Sequence, residues 1–118
     1  MTRTTQTQRS LTAVDLQILL TLANGPRHGY GIKLDVAERT GGEMKLGSGT
    51  LYEAIQRLEQ RVFIALAAPP HGEEADVRRR YYQLKPAGER ALRSELERMA
   101  AVVRHGRSLH LLPRREEL

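Results

Sequence analysis

The chain has 118 residues, of which 40% are hydrophobic and 28% charged, a composition typical of one small globular domain. It contains no cysteine, which excludes disulfide bonds and thiolate metal sites, and we expect neither a metal nor a cofactor. No apolar run approaches the ~20 residues that cross a bilayer and the N-terminus lacks a signal-peptide pattern, so we expect a cytoplasmic protein with no membrane partner. The net charge of +5 favours a polyanionic partner such as nucleic acid, although a merely soluble basic protein has the same balance.

Three amphipathic helices are predicted in the first half of the chain. Residues 1–10, rich in Thr, Gln and Arg, have nothing to bury and are expected to form a flexible arm before them. In each helix the apolar residues recur at spacings of three and four, and Asn, Gly or Pro residues follow the first two. The helices are predicted from about Leu11 to Ala23, from about Gly29 to Thr40, and from about Ser48 to Arg61.

A β-hairpin and a long helix are predicted in the second half. Two short apolar runs, 62–68 and 77–84, flank a turn-rich acidic loop. The long helix starts at Pro86, which is tolerated in a first helical turn, and Gly106 is expected to end it. This order of elements predicts a mainly α fold with a small β-hairpin. Its parts are a winged helix-turn-helix over residues 11–85, a C-terminal dimerisation helix over 86–105 and a tail over 106–118.

The long helix carries an apolar seam with the spacings of four, three and four that heptads produce. The seam consists of Leu92, Leu96, Met99 and Val103. Such a seam packs either on the first helix of the same chain or on a second copy of the chain. Its length in a protein with a small core favours the second arrangement, so we predict a homodimer joined through these four residues.

Five short motifs follow one another in a fixed order between Leu11 and Met99. They are His28-Gly29-Tyr30-Gly31-Ile32, Gly47-Ser48-Gly49-Thr50-Leu51-Tyr52, Leu58-Glu59, Arg79-Arg80-Tyr81-Tyr82-Gln83-Leu84 and Ala87-Gly88. In this order and spacing the chain resembles the PadR-like transcriptional regulators, in their short form with a single C-terminal helix. The resemblance implies a winged helix-turn-helix fold, a dimer joined through the C-terminal helices and repression of a nearby gene. Some members release DNA on binding a phenolic acid or a planar drug, which implies a small-molecule effector without identifying it.

Two positions depart from the family pattern. Val62 stands directly after the third helix, where the family usually has Gly, and a β-branched residue is disfavoured in the left-handed conformation that often ends a helix. Lys85-Pro86 stands where the family usually has Thr, so a side-chain cap worth ~1 kcal/mol is missing or replaced. We expect the first departure to affect the path into the hairpin and the second to affect stability.

The N-terminal end of the third helix holds the first candidates for DNA contact, because this end meets base edges in the major groove of a helix-turn-helix complex. Ser48 and Thr50 are candidates for DNA contact, for capping the helix, or for both. Lys45 and Arg57 are candidates for phosphate or base contact, although either can be an ordinary solvated charge. Tyr52 resembles a position on the DNA-facing helix of the family, and an aromatic residue at this spacing can also belong to the core.

Residues outside the third helix supply further candidates. His28 and Tyr30 start the second helix, which crosses the DNA backbone in this fold, so either can hydrogen-bond a phosphate; Tyr30 can instead be a core residue. Arg78, Arg79 and Arg80 lie beside the tip of the hairpin, where guanidinium groups contact phosphates or enter the minor groove. Their alternative role is to pair with the acidic residues of the adjacent loop.

Catalysis is not expected, because the four histidines show neither metal-ligand spacing nor a nucleophile pattern. The sequence predicts a sequence-specific regulator of transcription that binds double-stranded DNA as a dimer. The family resemblance implies that it is a repressor released by a small-molecule effector. A two-fold dimer predicts a pseudo-palindromic operator with half-sites about one helical turn apart. The alternative function is a protein-interaction module that has kept the winged-helix fold and lost DNA binding. RNA binding is disfavoured, since no RNA-module signature occurs.

Overall fold

The computed structural model describes residues 11–70 and 79–113. These ranges contain four α-helices and three short β-strands. In chain order they are α1 (Ala13–Ala23), β1 (Arg27–His28), α2 (Gly29–Arg39), α3 (Ser48–Gln60), β2 (Ile64–Ala67), β3 (Tyr81–Leu84) and α4 (Pro86–Ser108). The predicted mainly α fold with a small β-hairpin is confirmed. The N-terminal arm, most of the acidic loop with Arg78, and the last five residues of the predicted tail lie outside the described residues.

α1 begins with a capping box that fixes its first turn. The Thr12 hydroxyl accepts a hydrogen bond from the Asp15 N–H at 3.0 Å, and the Asp15 carboxylate accepts one from the Thr12 N–H at 3.5 Å. These bonds satisfy two of the N–H groups that a helix start leaves without backbone partners. The helix ends before Gly25, whose φ of 130° favours glycine, and Pro26 prevents its continuation.

The three N-terminal helices pack around one apolar core together with the sheet and the first half of α4. α3 contributes one whole side to this core, and each of its four core side chains is at most 2% exposed. These four are Leu51, Ala54, Ile55 and Leu58. The other large and fully buried aliphatic side chains of the core are Ile18, Leu19, Ile32, Val36 and Ile64.

A polar cluster joins α1 to α2 beside this core. The buried Thr21 hydroxyl donates to the Asp35 carboxylate at 2.6 Å, and Arg39 donates to Asp35 at 2.6 Å and to the Gln17 carbonyl at 2.8 Å. The Thr21 hydrogen bond, aided by Arg39 and opposed by burial, lowers the pKa of Asp35. Because the folded pKa is lowered, this stabilisation is present at neutral pH and is lost as the pH falls through that value.

The sheet has the strand order β1-β3-β2, and both pairs are antiparallel. β2 and β3 form the predicted hairpin, with Ala67 opposite Tyr81. β1 is not predicted from the sequence, because two residues between a turn and a helix give no alternation to detect. It adds to the other edge of β3 with His28 opposite Tyr81, which makes β3 the central strand.

Both tyrosines of β3 are buried, with Tyr81 at 5% and Tyr82 at 3% exposure. Alternation along a strand places them on opposite faces of the sheet. Tyr82 joins the apolar core. Tyr81 packs against the His28 ring, whose centroid lies 5.2 Å away in an edge-to-face arrangement. The unpredicted strand therefore places a ring over the second face of β3.

α3 ends at a left-handed residue, even though this residue is the β-branched Val62. Val62 has a φ of 60°; its N–H donates to the Glu59 carbonyl at 2.9 Å, and the Phe63 N–H donates to the Leu58 carbonyl at 3.0 Å. These are the two hydrogen bonds of a Schellman cap. Gly41 takes the same conformation, with a φ of 63°, at the end of α2. The valine side chain is 59% exposed, so little packing compensates for its unfavourable backbone conformation.

α4 starts against the segment that follows α3. Its N-cap residue, Lys85, makes no side-chain cap, and its N–H donates instead to the Phe63 carbonyl at 2.9 Å. A Cβ on Gly88 would overlap the same carbonyl oxygen, so this close packing requires glycine. The start of the long helix is thereby held against the backbone that enters the hairpin.

The structure of α4 differs from the predictions in two places. The helix continues through Gly106 to Ser108 and ends with His110 in the left-handed conformation, with a φ of 63°. Leu92 is 5% exposed and belongs to the core of the single chain, because the first half of α4 packs on α1. From Leu96 to His105 every residue is exposed, so the seam that remains available consists of Leu96, Met99 and Val103.

We expect Val62→Gly to raise the free energy of unfolding by about 1 kcal/mol, because glycine adopts positive φ without the steric cost that a β-branched residue carries. Denaturant unfolding of the variant measures this gain. Val62→Ala is the matched control, since it removes the branch and keeps a Cβ, and it is expected to gain less than glycine. A Val62→Gly protein less stable than the parent would contradict this account of the helix end.

Candidate nucleic-acid interface

The N-terminal end of α3 is exposed and carries no side-chain cap. Gly47 occupies the N-cap position, so neither Ser48 nor Thr50 caps the helix, and both are exposed. Lys45 is exposed two residues before this end, while Leu46 between them is buried. A helix end with uncapped N–H groups favours an anion, and its positive dipole adds to this preference. The predicted contact residues at this end are therefore accessible to a partner.

Arg57 forms an ion pair that is not predicted from the sequence. Its Nη2 atom lies 2.7 Å from the Asp15 carboxylate, which it binds across 42 residues of sequence. The Asp15 side chain is only 5% exposed, whereas that of Arg57 is 49% exposed. The guanidinium thus compensates a buried carboxylate at the start of α1, and it ties α3 to α1.

An exposed cavity of about 250 Å³ lies where the start of α2, the start of α3 and the strand β3 meet. Five predicted site residues line it together with Gly29 and Tyr82. These five are His28, Tyr30, Tyr52, Arg79 and Arg80. A second open cavity of about 450 Å³ shares Tyr52, Arg80 and Tyr82 with the first and extends along α3. The fold therefore brings together residues from three separate sequence motifs.

His28 organises one side of the first cavity. Its Nδ1 atom accepts a hydrogen bond from the Gly31 N–H at 3.0 Å, so the imidazole caps α2. Arg79 lies against the same ring, with Nη1 2.8 Å from Nε2, and its guanidinium carbon is 5.9 Å from the centre of the Tyr30 ring. Tyr30 itself is 54% exposed, so it is not a core residue.

Tyr52 closes the other side of the cavity by packing on Gly29. A Cβ at Gly29 would overlap the Tyr52 hydroxyl, so the glycine of the second motif leaves room for the tyrosine of the third helix. Tyr52 remains 48% exposed. The side chain is thus partly packed and partly accessible to a partner.

Tyr82 and Arg80 lie between the two cavities. Burial raises the pKa of the Tyr82 phenol and the carboxylate of Glu59 adds to this shift, while Arg80 opposes it. The guanidinium of Arg80 therefore lies close to the phenol, and the residue is exposed at the surface. Arg80 thus lines both cavities and remains exposed.

Two outward residues of α3 are not among the predicted site residues. Glu53 and Gln56 line the second cavity, one and two turns after Gly49. Helical periodicity could have identified them, because Gly49, Glu53 and Gln56 are spaced four and three residues apart and therefore lie on one face of the helix. Arg57 lies beside this face, toward α1, where it pairs with Asp15.

The fold and the site together define a winged helix-turn-helix protein. α2 and α3 are the paired helices, and β2 and β3 are the strands of the wing. Comparison with known proteins is consistent with this class: the model of the transcriptional regulator PadR-like family matches residues 18–94. The chain therefore belongs to the PadR-like family of transcriptional regulators.

Solved structures agree in fold. A PadR family transcription regulator from Clostridium difficile is 26% identical, with a TM-score of 0.69, over 83% of this chain and 98% of that one. Bacillus subtilis PadR, solved in complex with operator DNA, is 22% identical, with a TM-score of 0.59, over 72% of this chain and 47% of that one.

A curated relative is longer than this chain. An uncharacterized 37.1 kDa protein of a Streptomyces fradiae transposon is 37% identical over 83 residues, which are 70% of this chain and 22% of the relative. The chain thus spans about a fifth of that relative's length.

None of the helices within residues 11–70 and 79–113 combines the length and the apolar composition that a membrane span requires.

We expect Arg57→Ala to lower the free energy of unfolding by about 1 to 2 kcal/mol, because it leaves the Asp15 carboxylate buried without its partner. In an Asp15→Asn background the same change should cost much less, since no charge remains to be compensated. Chemical denaturation of the four proteins of this double-mutant cycle measures the coupling. Additive losses would show that Arg57 does not stabilise Asp15.

Proposed function

We propose that this protein is a sequence-specific regulator of transcription that binds double-stranded DNA as a dimer. The observation that carries the proposal is the convergence of the α2 start, the α3 start and two wing arginines around Tyr52 on one exposed surface. In the helix-turn-helix mode of binding, these are the elements that meet the major groove and the flanking phosphates. Membership of a family of transcriptional regulators supports the same function.

Different groups on this surface carry different contacts. The uncapped start of α3, with Ser48 and Thr50, enters the major groove, and Lys45 meets the phosphates beside it. His28 and Tyr30 contact the backbone at the start of α2. Arg79 and Arg80 contact the phosphates, or enter the minor groove, on the wing side.

We expect replacement of Arg79 and Arg80 together by Ala to weaken DNA binding and to flatten its salt dependence. Each phosphate contact contributes about 0.9 to the slope of log K against log salt, so the slope should fall by about 1 to 2 for each protomer, which is about 2 to 4 for the bound dimer. The slope is measured by titrating a selected duplex at several salt concentrations.

Replacement of Arg90 and Arg93 by Ala is the matched control, because these exposed arginines lie on α4, outside the cavity. The control should leave the slope unchanged. A wing variant with the slope of the parent would count against phosphate contact by the wing.

The proposed dimer interface lies on the second half of α4. Leu96, Met99 and Val103 are 38–39% exposed and lie along one stripe, past the point where α4 leaves the core. Three apolar side chains at heptad spacing match the packing of one helix on another copy of itself. With two-fold symmetry the dimer presents two α3 helices, and the operator is pseudo-palindromic with half-sites about one helical turn apart.

We expect Leu96→Glu to yield monomers, because it places a charge in the middle of this stripe. Sedimentation equilibrium measures the mass in solution. Ser94→Glu introduces the same charge on the opposite side of the helix, where Ser94 is exposed, and it should remain dimeric. A Leu96→Glu protein that sediments as a dimer would remove the stripe from the interface.

The family resemblance supports two finer parts of the proposal. The protein represses a nearby gene in the cytoplasm, and a small-molecule effector bound at the dimer interface releases it from DNA.

Selection of bound duplexes from a random library tests the function as a whole. Enrichment of a pseudo-palindrome supports it. Lack of any enrichment would favour the protein-interaction module that has kept the fold and lost DNA binding.

A further inference from the structure

The face of α3 opposite the core carries an acidic and an amide side chain. Gly49, Glu53, Gln56 and Gln60 follow one another at spacings of four, three and four, and all are exposed. At 100° per residue these spacings form one stripe along a helix. The four core residues of α3 lie on the other side of the helix. This stripe therefore lies on the side of α3 that faces away from the core.

The side chains that flank the stripe are engaged within the chain. Arg57 pairs with Asp15 at 2.7 Å on the side of α1. Tyr52 packs on Gly29 on the side of α2. Within the part of the chain that the structure describes, no hydrogen bond or ion pair involves the side chain of Glu53 or Gln56. These two polar ends are thus available to a partner that approaches α3 from outside.

We propose that Glu53 and Gln56 read base edges in the major groove and set the sequence preference of each half-site. This inference rests on the proposed DNA-binding function and adds the residues that choose the sequence. A glutamate carboxylate accepts a hydrogen bond from the N4 amino group of cytosine, and a glutamine amide pairs with N6 and N7 of adenine. Gly49, one turn before Glu53, has no side chain to keep the helix away from the bases.

The Glu53 carboxylate contributes to the choice between DNA sequences and does not contribute to the attraction between protein and DNA. Glu53 brings a negative charge to a polyanion, so it lowers affinity unless an amino group meets it. Where the carboxylate faces a guanine or a thymine, whose major-groove edges offer acceptors and no donor, it is desolvated without a hydrogen bond, and binding is weakened. Arg79 and Arg80, on the wing side, supply the attraction that offsets this cost.

Selection from random duplex DNA with the full chain tests the assignment, using Glu53→Gln, Gln56→Ala and the parent in parallel. Glu53→Gln should move the preference at one position of each half-site from cytosine to adenine. Gln56→Ala should reduce the preference for adenine at a neighbouring position by about tenfold or more. Both side chains are exposed, so both variants should fold, and unfolding curves that match the parent confirm it.

Glu38→Gln is the matched control, because it removes an equal charge from an exposed position on α2, outside both cavities. It should strengthen binding to all sequences alike and leave the preferred sequence unchanged. A parent protein that enriches a motif which Glu53→Gln and Gln56→Ala leave intact would overturn this inference and not the proposed function. A parent that enriches no motif would overturn both.

Discussion

The exposed surface formed by the starts of α2 and α3 and by β3 depends on one constraint, which is the burial of the opposite side of α3. Leu51, Ile55 and Leu58 are at most 2% exposed, and removing any one of them would cost about 2 to 5 kcal/mol. Because these side chains fix the rotation of the helix about its axis, they also fix which polar residues project outward. A rotation by one residue, 100°, would bring Tyr52 toward the core and remove Glu53 from the outermost position. The core thus determines the chemistry of the opposite face without any direct contact to it.

A second constraint places the wing relative to the paired helices, and it passes through His28. The residue pairs with β3 as part of β1, its ring packs on Tyr81, and its Nδ1 atom caps α2. Arg79 lies against the same ring. The position of a wing arginine is therefore linked to the start of α2 by one side chain. Contacts that hold such a surface in place before a partner arrives reduce the entropy lost when a complex forms.

Local signals in the sequence account for most of the fold and for less of the site. The spacing of apolar residues predicts all four helices, whereas the β-branched Val62 disfavours the left-handed conformation in which α3 nevertheless ends. The partner of Arg57 could not be predicted, because Asp15 is 42 residues away and neither residue shows a pattern that points to the other. Leu92 and Leu96 belong to the same heptad seam in sequence. Which of them the core covers depends on where α4 leaves the domain, and the contact of Gly88 with the Phe63 carbonyl sets that point.

In the proposed complex, affinity and sequence choice reside in different parts of one surface. The wing arginines attract any duplex, whereas the carboxylate and amide on α3 reject most of them. A two-fold dimer presents each group twice, so a wrong base in both half-sites costs about twice as much free energy as in one. The attraction is doubled as well, which allows each half-site to bind weakly on its own. An acidic residue on the outermost face of α3 is therefore compatible with DNA binding in a chain whose net charge is only +5, because it converts part of the available affinity into selectivity.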